Sequence, residues 1–187
     1  MTDETMVPTL ETDRLRLRSL TNKDIDGLYA IFSDPQVMRY WSTPPLPNRA
    51  AAERLFQEIL EGHRHFGWLK WGMVLKEDDS LIGTLTLFHL DRTHRRGEIG
   101  YALGRKWWGL GFMNEALHGL ISYAFKELDL HRLEADVDPR NEASIKTLQR
   151  LGFKREGYLR ERWHVGGEIQ DAFFYGLLRR EYEKLSN

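Results

Sequence analysis

RRGEIGYALGRKWWGLGFMNEAL, residues 95–117, carries the signals that decide how this chain folds. GEIGYAL reads as a strand, a glycine-containing turn follows it, and an amphipathic helix opens directly after Gly111. Along GFMNEALHGLISYAFKEL, the residues Met113, Ala116, Leu117, Leu120, Ile121, Ala124, Phe125 and Leu128 keep the spacing of one helical face. The N–H groups of a first helical turn lack intrahelical partners and sit at the positive end of the helix dipole. Such a junction can therefore bind a pyrophosphate through the main chain. Gly109 and Gly111 allow the backbone a close approach. A G-x-G before a helix also serves ordinary tight turns, and the segment matches neither G-x-G-x-x-G nor G-x-x-x-x-G-K-[ST].

Upstream, Leu15 and Leu17 alternate with Arg14, Arg16 and Arg18 as in a half-buried strand. A helix follows, with Thr21 or Asn22 as N-cap, Ile25, Leu28, Tyr29 and Phe32 on one stripe, and Pro35 at its close. After the Pro-rich STPPLPN, the segment RAAAERLFQEILEGH reads as a second helix buried through Ala51, Leu55, Phe56, Ile59 and Leu60. WGMVLK and LIGTLTLFHL form a hairpin about EDDS, and RRGEIGYAL makes the next strand. Beyond the long helix, RLEADVD is a strand and NEASIKTLQRLGF a capped helix ending at Gly152. YLRERWHVGGEIQDAFFYGLL is a closing hairpin that turns at Gly166 and Gly167. The order is βααβββαβαββ, a mixed α/β class without an internal repeat or convincing linker, so residues 1–187 are expected to form one domain.

Composition narrows the function. With 27 Lys plus Arg against 28 Asp plus Glu, the net charge of −1 gives no bulk attraction to nucleic acid or anionic lipid. Zero cysteines exclude disulfides, thiolate metal sites and a cysteine nucleophile, and they fit a reducing cytoplasm. No apolar run is long enough for a bilayer span, and MTDETMVPTLETDR lacks the pattern of a signal peptide, so a cytoplasmic protein is expected. The pairs His63 with His65 and His89 with His94 come without H-E-x-x-H spacing, so no metal is expected.

K-W-W-G-L-G resembles the Q/R-x-x-G-x-G/A signature of the Gcn5-related N-acetyltransferases, with Lys106 in place of the usual Gln or Arg. The resemblance extends through LETDRLRLRSL, SDPQVMRYW, GEIGYAL, DPRNEASIKTLQRLGFKREG and YGLLRREYE, and is nearest to the RimJ/RimL ribosomal-protein N-terminal acetyltransferase branch. It implies a mixed, mostly antiparallel twisted sheet of about seven strands flanked by about four helices. It also implies acetyl coenzyme A as acyl donor. The strand GEIGYAL would splay from RLEADVD and admit the pantetheine arm as an added strand, with Tyr101, Ala102 and Leu103 as partners. Lys106, Trp107, Trp108, Gly109, Leu110, Gly111 and Phe112 would hold the pyrophosphate, chiefly through backbone amides.

Acetyl transfer to an amine needs a neutral amine, an electrophilic carbonyl and a route for the thiolate. Without cysteine, direct attack in a ternary complex is expected rather than transfer through a thiol. By the resemblance, Glu98 is the leading base, against a plain solvated role beside Arg95 and Arg96, with Glu161 and His164 as substitutes. Asn141 caps a helix by accepting the Ser144 N–H, and in the resembling branch this pair also contacts the cofactor, Ser144 reaching toward sulfur. The tyrosine that many relatives use as acid falls on Leu148 here, which leaves Ser144 as the hydrogen-bond donor. Trp41 would lie near the substrate entrance or simply pack in the core.

An α-amine, with a reference pKa of about 8 against about 10.4 for lysine, asks less of a base. No acidic cluster stands out near the first helices, so an N-terminal or neutral small-molecule amine is preferred to a polyamine. A non-catalytic acyl coenzyme A binding module is the competing class, since it would keep the glycine loop without Glu98 or Ser144. Monomer and homodimer, and acetyl and longer acyl groups, remain open from the sequence.

Overall fold

The structure, a computed structural model, describes residues 7–185. The first six residues of the opening segment, read above for a signal peptide, lie outside the described residues. Among the described residues no helix is long and apolar enough to cross a membrane.

Among the described residues, eight strands make one sheet: β1 Leu10–Glu11, β2 Leu15–Arg18, β3 Leu69–Leu75, β4 Leu81–Asp91, β5 Arg96–Leu103, β6 Arg132–Val137, β7 Lys154–Val165 and β8 Glu168–Leu178. Their spatial order is β1-β2-β3-β4-β5-β6-β8-β7, and every pair is antiparallel except β5 with β6. The helices are α1 Ile25–Phe32, α2 Pro35–Met38, α3 Arg49–Phe66, α4 Phe112–Lys126, α5 Glu142–Arg150 and α6 Arg179–Leu185. The mixed, mostly antiparallel sheet expected from the sequence is present, with an eighth strand of two residues and two further short helices. β1, α2 and α6 are too short to show a period of two or 3.6 in sequence.

Local chemistry sets most boundaries. Asn48 accepts the Ala51 N–H at 3.0 Å to start α3, which runs on to a left-handed Gly67 (φ 63°), beyond the expected His63. Pro35 does not merely end α1; it opens α2 in the first helical turn, where a proline costs no hydrogen bond, and Asp34 caps that turn. Gly166 and Gly167 both take positive φ, 57° and 87°, the conformation demanded by a tight turn between β7 and β8.

Two apolar layers sandwich the sheet. On one face α4 buries Phe112, Ala116, Leu117, Leu120, Ile121, Ala124 and Phe125 against Leu15, Leu17, Trp71, Leu85 and Leu133, while α5 adds Leu148. On the other, Leu28, Ile31 and Phe32 of α1 pack with Phe56 and Ile59 of α3. Alternation along β5 sends Ile99, Tyr101 and Leu103 toward the first layer and Ala102 toward the second. A backbone held by both layers leaves its hydrogen-bonding edge as the only part free to take a new partner.

Candidate active site

The parallel pairing of β5 with β6 stops early. It runs through Arg96 with Arg132, Gly97 with Leu133 and Glu98 with Glu134, and then the strands part. β5 keeps its antiparallel register with β4 as far as Leu103, and β6 keeps its register with β8 as far as Val137. Each parted strand therefore stays anchored on its far side while the inner edges separate. Into this gap opens a cavity of about 590 Å³, walled by Ile99, Gly100 and Tyr101 on β5 and by Ala135, Asp136 and Val137 on β6. The splay expected from the sequence is thus a feature of the backbone register.

Ser144 and Tyr101 face each other across this gap. Asn141 Oδ1 accepts the Ser144 N–H at 3.2 Å, as the capping pattern predicts, and so fixes the first turn of α5. That turn carries the Ser144 hydroxyl to 2.7 Å from the Tyr101 phenol. Burial pushes the phenol up to about 12, against the smaller lowering effect of the Ser144 hydrogen bond, so the phenol keeps its proton over the working pH range. In sequence Tyr101 is only a backbone partner, and the tyrosine position of α5 is Leu148, a buried apolar lining residue. The fold supplies a phenol from a different strand.

Glu98 is buried, lines the cavity, and holds His89 Nδ1 at 3.0 Å from Oε2. His89 takes a left-handed conformation (φ 49°) where the β4–β5 register shifts between Phe88 and Asp91, and the irregularity brings its ring to the carboxylate. The arginines that sequence places beside Glu98 are engaged elsewhere: Arg96 with Glu134 at 3.0 Å and Arg95 with Asp129 at 2.7 Å. The solvated reading of Glu98 is therefore corrected by its burial. Glu161 and His164, the substitute bases, are exposed residues of β7 outside the cavity lining, where Trp163 takes the place between them. The Glu161 N–H is donated to Asp171 at 2.8 Å, at an irregular point of that hairpin.

Trp41 lines the cavity and meets Phe32 edge-to-face at 5.3 Å, so packing and lining coincide in one side chain. The wall also carries Glu58, Asp138 and Lys70. Carboxylates that looked scattered in sequence are gathered here by α3, β5 and β6. Nothing in the sequence singles out Glu58, Asp138 or Lys70. Burial lowers the Lys70 ammonium to about 8, and the Lys70 backbone N–H is donated to His63 Nε2 at 3.0 Å.

The glycine loop lies beyond the far end of β5 and its residues do not line this cavity. Arg105–Trp107 form one turn of 3₁₀ helix, and Gly109 and Gly111 adopt φ of 75° and 82° before α4 begins. No side chain caps α4, and its first backbone bond runs from the Glu115 N–H to Gly111 O at 3.1 Å. The N–H groups before Glu115 thus have no partner inside the helix, as an anion site requires. Trp108 anchors the turn through its indole N–H to Leu103 O at 2.7 Å, while exposed Lys106 rests its ammonium 4.5 Å from the Trp107 ring centre.

Arg14 holds the loop from outside. Its Nη1–H donates to Leu110 O at 3.0 Å, its guanidinium lies 4.2 Å above the Phe112 ring, and its Nε meets Glu115 Oε2 at 2.7 Å. Thr12 donates to the other oxygen of Glu115 at 2.6 Å. In sequence Arg14 is one of three arginines on a solvent face, with nothing local to single it out. Asp136 did leave a signal: Glu134 and Asp136 alternate on one face of β6, an interior strand of the sheet and an unusual place for carboxylates.

Comparison with known proteins bears on this arrangement. A family model described as an acetyltransferase (GNAT) domain matches residues 14–154. The chain is 40% identical over 178 residues to N-acetyltransferase p20 of Bacillus licheniformis, covering 93% of this chain and 98% of that protein. It is 25% identical over 170 residues to spermidine N(1)-acetyltransferase of Escherichia coli, covering 90% and 88%. The crystal structure of ribosomal-protein-S5-alanine acetyltransferase from Vibrio fischeri superposes with a TM-score of 0.80 over 94% of this chain and 99% of that one; at 24% identity that likeness speaks for the fold.

Proposed function

Because the chain belongs to the GNAT family of acetyl-CoA-dependent acetyltransferases, we propose that it transfers the acetyl group directly to a primary amine held between the parted strands. The acceptor is a protein N-terminal α-amine or a small-molecule amine. One observation carries this reading: pairing ends at Glu98 and Glu134, so an open strand edge, a buried carboxylate and a hydroxyl pair share one cavity.

Acetyl-CoA supplies an activated thioester. The edge of β5 from Ile99 to Ala102, and the N–H of Leu103 beyond it, offer backbone groups to its pantetheine arm, and the uncapped start of α4 offers N–H groups to its pyrophosphate. Glu98 takes a proton from the amine, with His89 holding the carboxylate in place. Ser144, kept in position by Tyr101 and Asn141, donates a hydrogen bond toward the departing sulfur. The chain has no cysteine to carry an acetyl group, so the amine attacks the donor itself. The comparisons support an amine acceptor in general, since a relative is named for spermidine. A module that merely held the donor would have no use for Glu98 and Ser144 in the cavity.

Initial rates over varied acetyl-CoA and amine, read as release of the free thiol, test the proposal. Intersecting double-reciprocal lines support direct transfer, and parallel lines overturn it.

A further inference from the structure

Among the described residues, the buried side-chain atoms without a hydrogen-bond partner are the Thr84 hydroxyl, Asn114 Oδ1 and Asp136 Oδ1. Of these residues Asp136 alone lines the cavity. Its side chain is 6% exposed, and its other oxygen accepts the Arg162 Nε–H at 2.9 Å. The neighbouring carboxylates differ. Asp138 is closed by Arg140, which donates its backbone N–H at 2.8 Å and its guanidinium at 2.7 and 3.0 Å. Glu98 already faces His89.

A carboxylate oxygen without a donor in a largely buried setting is costly, and native proteins leave one mainly where a ligand or water completes it. The Asp136 oxygen accepts, so its complement is an N–H or O–H, and its charge favours a cation. Trp41, Trp68, Phe88 and Trp163 wall the same cavity with aromatic surface, which also suits a cation. Asp136 stands two residues beyond Glu134, the register partner of Glu98, so both carboxylates border the place where the strands part.

We propose that Asp136 is an acceptor-binding residue: its free oxygen receives an N–H of the acceptor's primary ammonium, and the enzyme selects cationic amines through this contact. Glu98 removes one proton from the same nitrogen, and one of its two remaining N–H groups stays on Asp136 as the freed lone pair turns to the carbonyl carbon. The other proton is lost as the amide forms and leaves with the thiolate as the free thiol of coenzyme A. The N–C bond then forms as the C–S bond breaks, and the thiolate leaves with coenzyme A. The inference rests on the cavity being the transfer site and goes further by naming the group that recognises the acceptor.

The test uses n-butylamine, a cation at neutral pH, and n-butanol, its uncharged counterpart of the same length. Binding to the full chain with coenzyme A is followed by the fluorescence of the cavity tryptophans, and acetyl-CoA binding is measured separately by calorimetry. The expected result is that n-butylamine binds and n-butanol does not. Asp136→Asn, which turns the open acceptor into a donor while Arg162 keeps the oxygen, weakens amine binding about tenfold or more. Asp136→Glu restores part of it, and acetyl-CoA affinity stays the same in all three proteins.

Equal amine binding by wild type and Asp136→Asn overturns the proposal, as does wild-type binding of acetyl-CoA without any preference for the amine. A loss of acetyl-CoA affinity in a folded Asp136→Asn protein also overturns it, by assigning the oxygen to the donor. Failure of the wild type to bind acetyl-CoA would instead strike at the transfer site itself.

Discussion

The Tyr101 phenol and the Ser144 hydroxyl stand 2.7 Å apart and tie β5 to the first turn of α5 across the open gap. A buried hydroxyl pair of this kind is worth about 1 kcal/mol in stability. It also keeps the serine aimed, because the phenol holds its proton to about 12. Ser144→Ala is expected to lower kcat about tenfold with acetyl-CoA affinity unchanged, as expected of a hydrogen bond used in the transition state. Tyr101→Phe leaves the serine present but untethered, and its kcat should fall less. Full turnover by Ser144→Ala would remove the serine from the mechanism.

Glu98 gives a pH-dependent expectation. Glu98→Gln should cut turnover about 100-fold near pH 7, where most amine is protonated, and progressively less as the pH rises through the amine's own pKa. Calorimetry should find acetyl-CoA affinity nearly unchanged. A rate that does not respond to the substitution at any pH would exclude the carboxylate as base.

Arg14 does not line the cavity, yet it shapes the glycine loop through the Leu110 carbonyl and the Phe112 ring. Arg14→Leu should weaken acetyl-CoA binding about tenfold and leave kcat at saturation close to wild type, the signature of a loop that binds rather than reacts. Gly111→Ala combines φ of 82° with a methyl 3.4 Å from an Arg14 nitrogen, and is expected to cost about 1–2 kcal/mol in stability by urea unfolding.

Lys70 sets a window for stability. Burial lowers its ammonium from 10.5 to about 8, so between those values the unfolded chain binds a proton that the folded chain has released. Stability contributed through this group therefore rises with pH across that window, and below pH 8 the buried charge is a penalty. Lys70→Met should stabilise the protein by about 2 kcal/mol at pH 7, and the advantage should fade between about pH 8 and 10.5. A constant difference over that range would mean that the ammonium is solvated.

Much of the fold was legible because its signals are local. The stripe from Phe112 to Phe125, the Asn141 cap, the paired glycines at 166 and 167 and the left-handed glycines before α4 are each set by residues within a few positions of one another. Helical period, capping and positive φ are properties of a short stretch of backbone, so a single sequence displays them. The glycine loop, Glu98 and Ser144 were singled out in a second way, by the resemblance of several separated stretches of the sequence to one family.

What remained hidden depends on which distant residues meet. β8 inserts between β6 and β7, and nothing in the hairpin's own residues says which of its two strands faces the sheet. Arg14 reaches Glu115 across 101 positions, and Tyr101 reaches Ser144 across 43. Asp136 becomes an open acceptor only because pairing ends two residues before it and Arg162 covers one oxygen and not the other. The elements therefore follow from contiguous residues. The cavity follows from strand register and layer packing, which the whole chain sets together, and its charges acquire their chemistry from the burial that this packing imposes.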